Sequence, residues 1–306
     1  MNKPVTKNVA ASVRDRLLAR AREQKEDFQY LLIRYANERF LYRLGNSTHR
    51  DRFVLKGATL FTLWAGEPHR PTKDLDFLSF GNNSVDEAVA TFREICAVPV
   101  EDDGFSFPSE LVTGEERRED EEYPGLRMHV TARLGSARIP LLIDLGFGDA
   151  VTPNPLEDEL PTLLAFPKPR LRVYPRETVV AEKLEAAVRL GIANSRMKDF
   201  YDLQYLASNF PFEGSALVDA IVATFRRRGT ALPMGIPLAI SDEFTTDVGK
   251  QTQWNTFLRK SKLGRAELQD VGVELRRFLL PPLEAARERR LFTATWHPTG
   301  PWGSTE

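Results

Sequence analysis

The chain has 306 residues, 42% of them apolar, with 42 Lys or Arg against 43 Asp or Glu and a net charge of −1. This is enough for two domains with proper cores, and it excludes global disorder. The near-zero balance excludes nucleic-acid binding by bulk charge alone, and the single cysteine, Cys96, excludes an internal disulfide framework and fits a reducing compartment. No apolar run reaches the length of a membrane span, and the first 21 residues lack the apolar core of a signal peptide, so a cytoplasmic protein without a membrane partner is expected. The four histidines, His49, His69, His129 and His297, show no zinc-ligand spacing. The common P-loop, dinucleotide-binding and nucleophile-elbow motifs are absent. Charge is unevenly placed: residues 101–122 carry ten acids against Arg117 and Arg118, and residues 251–290 carry nine Arg or Lys against five acids.

In chain order, apolar periodicity predicts an amphipathic helix over 10–24 and a second over 27–44, ended by Gly45-Asn46-Ser47. The arginines interleaved in the second helix read as a solvated face. A short strand, Phe53-Val54-Leu55, breaks at Gly57, and a helical segment follows over 59–64. After a polar loop, Asp74-Leu75-Asp76 opens another apolar strand. Side chains alternate along a strand, so Asp74 and Asp76 point the same way. Two adjacent carboxylates repel unless a cation neutralises them, and hard cations such as Mg²⁺ take carboxylate, water and phosphate oxygens. Gly57 lets backbone N–H groups approach a phosphate at a helix start. Strand, glycine turn, helix and Asp-x-Asp strand together read as a metal–nucleotide site, although Asp-x-Asp alone is common at solvated strand ends.

Residues 84–97 read as a helix with Cys96 on its apolar side, hence core and not a nucleophile. The acidic stretch 101–122 reads as a solvated loop. Residues 126–134 and 137–147 alternate around Gly135-Ser136 and predict a β-hairpin. Asp144 interrupts its second apolar strand; it is either a third metal carboxylate or an acid paired with Arg70 or Arg138. Asp149 follows in a glycine-rich turn, where capping or bending is its simpler role. The proline-rich residues 151–177 read as an extended linker. A helix follows over 178–188, with Lys183 at the edge of its apolar face. Lys183 either snorkels or reaches a triphosphate as a point charge. Asp199 and Asp202, three apart, share a helix face, and Asp199 also suits a helix first turn. Residues 215–290 read as helices with basic clusters around Arg226, Arg259, Arg276 and Arg287, among Phe225, Trp254 and Phe257. These are either solvated faces around core aromatics or a surface for phosphates and unpaired bases. The tail over 293–306 is expected to be poorly ordered.

Leu55-Lys56-Gly57-Ala58, Arg70-Pro71-Thr72-Lys73-Asp74-Leu75-Asp76-Phe77, Ala181-Glu182-Lys183-Leu184-Glu185-Ala186 and Arg196-Met197-Lys198-Asp199-Phe200-Tyr201-Asp202-Leu203 together resemble the AbiEii/AbiGii-type abortive-infection toxins. These are type IV toxin–antitoxin nucleotidyltransferases of the DNA polymerase β-like superfamily. Ala58 stands where that superfamily usually has Ser or Gly, a mild departure because the turn's backbone does the binding. The resemblance runs from about residue 12 to 210. It implies an α+β fold, with N-terminal helices and a polymerase β-like nucleotidyltransferase core over 1–165 and a mainly α-helical C-terminal domain over 166–306. It implies catalytic roles for Asp74, Asp76, Lys183 and Asp199. Nucleotide binding would involve Lys56, Gly57, Ala58, Thr59, Arg70, Thr72, Lys183 and Asp202. Asp74, Asp76 and Asp144, or Asp149 in its place, would hold Mg²⁺, with Mn²⁺ the alternative. The implied activity is transfer of a nucleotide from an NTP to RNA, tRNA above all, opposed by a cognate antitoxin or repressor. A protein side chain or a small molecule is the alternative acceptor, and a module with a dead site is the non-enzymatic alternative.

Overall fold

Phe53, Val54 and Leu55 are all buried, and the strand they open, β1 (Phe53–Lys56), lies inside a mixed sheet. The computed structural model describes residues 8–117 and 125–303. On one side β1 pairs antiparallel with β2 (Leu75–Ser79), which runs parallel to β6 (Ala137–Phe147). β6 turns back through Gly135 (φ +58°) and Ser136 against β5 (Gly125–Leu134), a two-residue hairpin that needs positive φ at its first central position. β5 also carries the short β3 (Phe105–Ser106) and β4 (Thr113–Arg117). On its other side β1 runs parallel to β8 (Arg170–Val173), and β7 (Leu156–Glu159) closes that edge.

The hairpin obeys the period of two that predicted it. Leu126, Met128, Val130, Ala132 and Leu134 are buried along β5, as are Ile139, Leu141, Ile143 and Leu145 along β6. The α-helices of this first unit, among the described residues, are α1 (Val9–Gln24), α2 (Phe28–Gly45), α3 (Thr59–Ala65) and α4 (Val85–Cys96). Asn8, Asp27 and Ser84 cap α1, α2 and α4 through their side chains, satisfying first-turn amides. Cys96 is buried in α4, and burial pushes its thiol up to about 12, so it is inert at neutral pH.

Three expectations need correction here. The arginines of α2 are not all solvated. Arg39 is fully buried, with its guanidinium over Tyr35, Tyr42 and Phe166, 2.8 Å from Glu38 and bonded to the Pro167 carbonyl. Arg43 is buried against Asp103, one N–H at 2.7 Å and the other at 3.2 Å. Each buried charge is matched, which is the condition for burying it. The acidic stretch is not one loop, because Phe105–Ser106 and Thr113–Arg117 are strands of the sheet; the remainder of that expectation, 118–122, lies outside the described residues. The proline-rich segment is not only a linker, since it supplies β7 and β8.

The second unit comprises His69–Pro71, Asp149–Pro155 and the described residues from Tyr174 onward. Its helices are α5 (Arg176–Leu190), α6 (Met197–Asn209), α7 (Gly214–Arg227), α8 (Asp242–Thr246), α9 (Val248–Lys260) and α10 (Leu268–Glu288). Arg228, of the first basic cluster, serves structure. It bonds Asp149 at 2.9 Å and the fully buried Glu185 at 2.9 Å. The expected disordered tail is ordered through Gly303. β10 (Thr295–Trp296) pairs with β9 (Phe212–Glu213) and β11 (Trp302–Gly303). Trp296 is fully buried, donates to the Ala207 carbonyl at 2.7 Å and packs 5.0 Å from Phe278. Apolar burial of this kind outweighs the entropy of ordering the tail, which composition alone does not reveal. Trp296→Ala is therefore expected to cost about 3–5 kcal/mol, read as a lowered urea midpoint; a change below about 0.5 kcal/mol would show that the tail does not hold the unit.

Candidate active site

At the end of β1 the chain turns through Gly57 at φ +76°, a region that side chains disfavour. A Cβ at Gly57 would fall 2.1 Å from Oδ2 of Asp76, so the turn backbone and that carboxylate are in direct apposition. Lys56 is directly across from Asp76 in the β1–β2 register. Asp74 and Asp76 flank Leu75, which is fully buried, and both remain half-buried. Asp76 is the second residue of β2 and Asp74 directly precedes the strand, so alternation along the strand applies to Asp76 alone. Ala58 is buried, and Thr59 begins α3.

Asp144 is next to Asp76 in the parallel β2–β6 register. Its carboxylate accepts two bonds at 2.8 Å from the Arg127 fork and a further close one from Arg117. Its partners are thus neither Arg70 nor Arg138. Among the described residues, no group of three or more His, Cys, Asp or Glu is gathered for a metal ion. Asp149 is held by Arg228 in the second unit.

The other predicted residues meet in the second unit. Lys183 of α5 donates to Asp199 at 2.5 Å and lies 2.8 Å from Asp202, both on one face of α6. Arg70 forks onto Asp202 with bonds of 2.6 and 2.8 Å. Arg196 Nε is 2.6 Å from Asp199 Oδ2, an ion pair without hydrogen-bond geometry. Lys183 thus neither snorkels nor projects into solvent: its ammonium is bracketed by two acids. Burial alone would raise both carboxyls, but Lys183 above all, with Arg196 for Asp199 and Arg70 for Asp202, holds them below the usual carboxylate range. Burial likewise opposes the Lys183 charge, and the two carboxylates outweigh it, keeping the amine above its ordinary value.

His69 was not singled out by the sequence. Its ring nitrogen lies 2.6 Å from Asp202, its side chain is fully buried, and its ring packs 4.9 Å from Tyr205. Burial lowers its pKa despite Asp202, so it enters the cluster as a neutral ring. Its place directly before Arg70 was the only available signal. The basic cluster at 259–262 also finds a setting. Lys260 and Phe257 line a cleft with Arg70, Arg196 and Lys198, enclosing about 1240 Å³ of empty space open to solvent. Trp254 and Phe225, by contrast, are core.

A mixed sheet that sets Asp-x-Asp against a glycine turn, followed by helices, is the ground plan of a nucleotidyltransferase. The model of the family described as nucleotidyl transferase AbiEii toxin, type IV toxin–antitoxin system, matches residues 39–289, and the chain belongs to that family. It is thus a nucleotidyltransferase of a toxin family. Among solved structures it is similar to JHP933 from Helicobacter pylori (16% identity, TM-score 0.44, covering 82% of this chain and 89% of that one). A second H. pylori structure, described as a candidate nucleotidyltransferase, gives the same identity and TM-score over 82% of this chain and 92% of its own. No curated protein matches the chain.

Two outcomes are expected. Gly57→Ala should lose at least about 1 kcal/mol from the left-handed backbone and displace Asp76, read together as a lower urea midpoint and lost nucleotide transfer; unchanged transfer would separate Gly57 from the chemistry. Asp199 and Asp202 have lowered folded pKa values, so their stabilisation is complete above the ordinary 3.8 and is lost as pH falls below it. Lys183 has a raised folded value, so its stabilisation is complete below 10.5 and is lost as pH rises beyond. Urea midpoints across pH should show both losses, with a weaker acid-side loss in Asp202→Asn. An acid limb of equal size in that variant would contradict the assignment.

Proposed function

We propose that the protein is a Mg²⁺-dependent enzyme that transfers a nucleoside monophosphate from an NTP to an RNA 3′ end, tRNA being the expected acceptor. The observation that carries the proposal is the seating of Asp76 on the Gly57 turn with Asp74 two residues away. Two half-buried carboxylates offer the hard oxygen donors that Mg²⁺ takes, and the ion's remaining positions would go to water and phosphate. Asp74 and Asp76 would hold the ion; Asp144, clasped by two arginines, would act by orienting those guanidiniums beside Asp76 or by giving them up. When bound, the ion supplies charge neutralisation for the triphosphate and acidifies the acceptor hydroxyl.

The chain's own residues do the positioning. The backbone of Gly57, Ala58 and Thr59, with Lys56, cradles the phosphates, and Thr72 is assigned to nucleotide binding beside them. An acceptor hydroxyl gives up its proton to water as its oxygen bonds to the α-phosphorus in line, and the bond from that phosphorus to the bridging oxygen breaks, releasing pyrophosphate. Such chemistry is mostly positioning and charge stabilisation. Lys183 is assigned to the triphosphate charge and Asp199 to orienting Lys183, which the 2.5 Å bond between them supports. Arg70 and Asp202 are assigned to nucleotide binding. The basic, aromatic-lined cleft around Phe257 and Lys260 suits a phosphate backbone and a stacked base, which favours RNA over a protein acceptor. In the cell the reading is of a cytoplasmic toxin, with nucleotide transfer blocking translation as a phage defence and an antitoxin or repressor encoded beside it as its counterpart.

The test is label transfer. The full chain is incubated with Mg²⁺, each α-labelled NTP in turn, and total RNA or total protein. Label on a tRNA-sized band is expected, reduced at least about a hundredfold in Asp74→Asn and Asp76→Asn. Label on protein would replace the acceptor, and full transfer by Asp76→Asn would remove the metal assignment.

A further inference from the structure

The register of the first unit's sheet sets charged residues in one row. Lys56 pairs with Asp76, Asp76 with Asp144, Asp144 with Arg127 and Arg127 with Glu115, across β1, β2, β6, β5 and β4. Register partners share a face of the sheet, while Leu75, Ile143 and Met128, on the opposite face, are buried. Neighbouring strands lie about 4.8 Å apart, so Asp144 is one strand spacing and Arg127 two from the acid that meets the Gly57 turn. Arg117 comes to the row from the end of β4. It stands opposite Gly125, which offers no side chain, and reaches diagonally to Asp144.

The guanidiniums of Arg117 and Arg127 thus converge on one carboxylate beside Asp76. The Arg127 fork closes on both Asp144 oxygens at 2.8 Å, and Arg117 bonds Oδ2 as well. A planar fork of this kind fits phosphate oxygens as it fits a carboxylate, and a polyphosphate brings more charge than a single Asp. Exposure separates this set from the structural ones. The Arg43 and Asp103 side chains are 5% and 3% exposed, whereas those of Arg117, Arg127 and Asp144 are 35%, 26% and 13% exposed. A ligand can therefore approach these arginines from solvent. Glu115, at the far end of the row, has a partner of its own in His129 at 3.2 Å.

We propose that Arg117 and Arg127 are triphosphate-binding residues, and that Asp144 holds their guanidiniums beside Asp76 in the place that phosphate oxygens take when nucleotide binds. Asp144 is then a positioning residue. The inference rests on the nucleotidyltransferase reading and adds to it two triphosphate ligands and the acid that keeps them in place.

The test is equilibrium titration of the full chain by tripolyphosphate in EDTA, so that the protein's own groups are read without metal. Asp144→Asn strands both guanidiniums and should tighten tripolyphosphate about tenfold, the scale of one hydrogen bond to a charged group. Arg117→Gln and Arg127→Gln should each weaken it by a similar factor. Arg127→Lys, which keeps the charge and loses the fork, should weaken it too, and carries the test if Asp144→Asn does not fold. Removing any acid favours an anion at long range, so the deciding comparison is made without the arginines: added to Arg117→Gln with Arg127→Gln, Asp144→Asn should give no gain. Binding elsewhere on the chain, the cleft at Lys260 included, is common to all variants and cancels from these comparisons. The proposal is overturned by a folded Asp144→Asn variant that binds no tighter than the wild type, by a gain that persists without the arginines, or by arginine variants that bind as the wild type does. The nucleotidyltransferase reading is scored separately by titration with Mg²⁺ and ATP. Binding lost in Asp76→Asn keeps that reading when the arginine assignment falls, and no binding by the wild type brings down both.

Discussion

Asp202 has no exposed surface, and a carboxylate so placed is tolerated only because Lys183, Arg70 and His69 all face it. Desolvating an ion costs several kcal/mol, and the return comes only when each oxygen is matched by a donor at short range. That constraint organises much of this molecule. Arg43 with Asp103, Asp144 with Arg117 and Arg127, and Glu185 with Arg228 obey the same rule. Removing one member of any such set strands the other in a medium that cannot solvate it. These residues therefore behave as units, and single substitutions within a set will not add.

The constraint also explains which parts of the structure were legible in the sequence. Apolar periodicity is local, so the hairpin of β5 and β6, the helix boundaries of α1, α2 and α4, and the strand–turn–helix–strand around Gly57 could be read directly. The apposition of Asp76 and Gly57 follows from the strand–turn–strand pairing and the backbone freedom of glycine. Charge matching is not local. Arg39 takes its aromatic and carbonyl partners from as far away as Phe166 and Pro167, and Asp144 takes Arg117 from across two strands. From sequence alone, a cation spaced through a helix is simply a cation on the outside. Arg39 was misread for that reason, and His69 was missed for the same one. The tail was misread differently: its Pro and Gly suggested disorder, whereas Trp296 and Trp302 make it part of a packed sheet.

The matched sets and the candidate reactive groups differ in kind. Asp199 and Asp202 are buried, multiply bonded and held in their charged form, so their charge is spent on internal partners. Asp74 and Asp76 keep part of their surface exposed, with Asp76 against the Gly57 turn. A protein that matches nearly every deep charge has no need of accessible paired acids for its fold. A cation bound between two neighbouring carboxylates would lower any repulsion between them, so these acids, and not the deep matched ones, are the ones expected to meet the metal of a nucleotide.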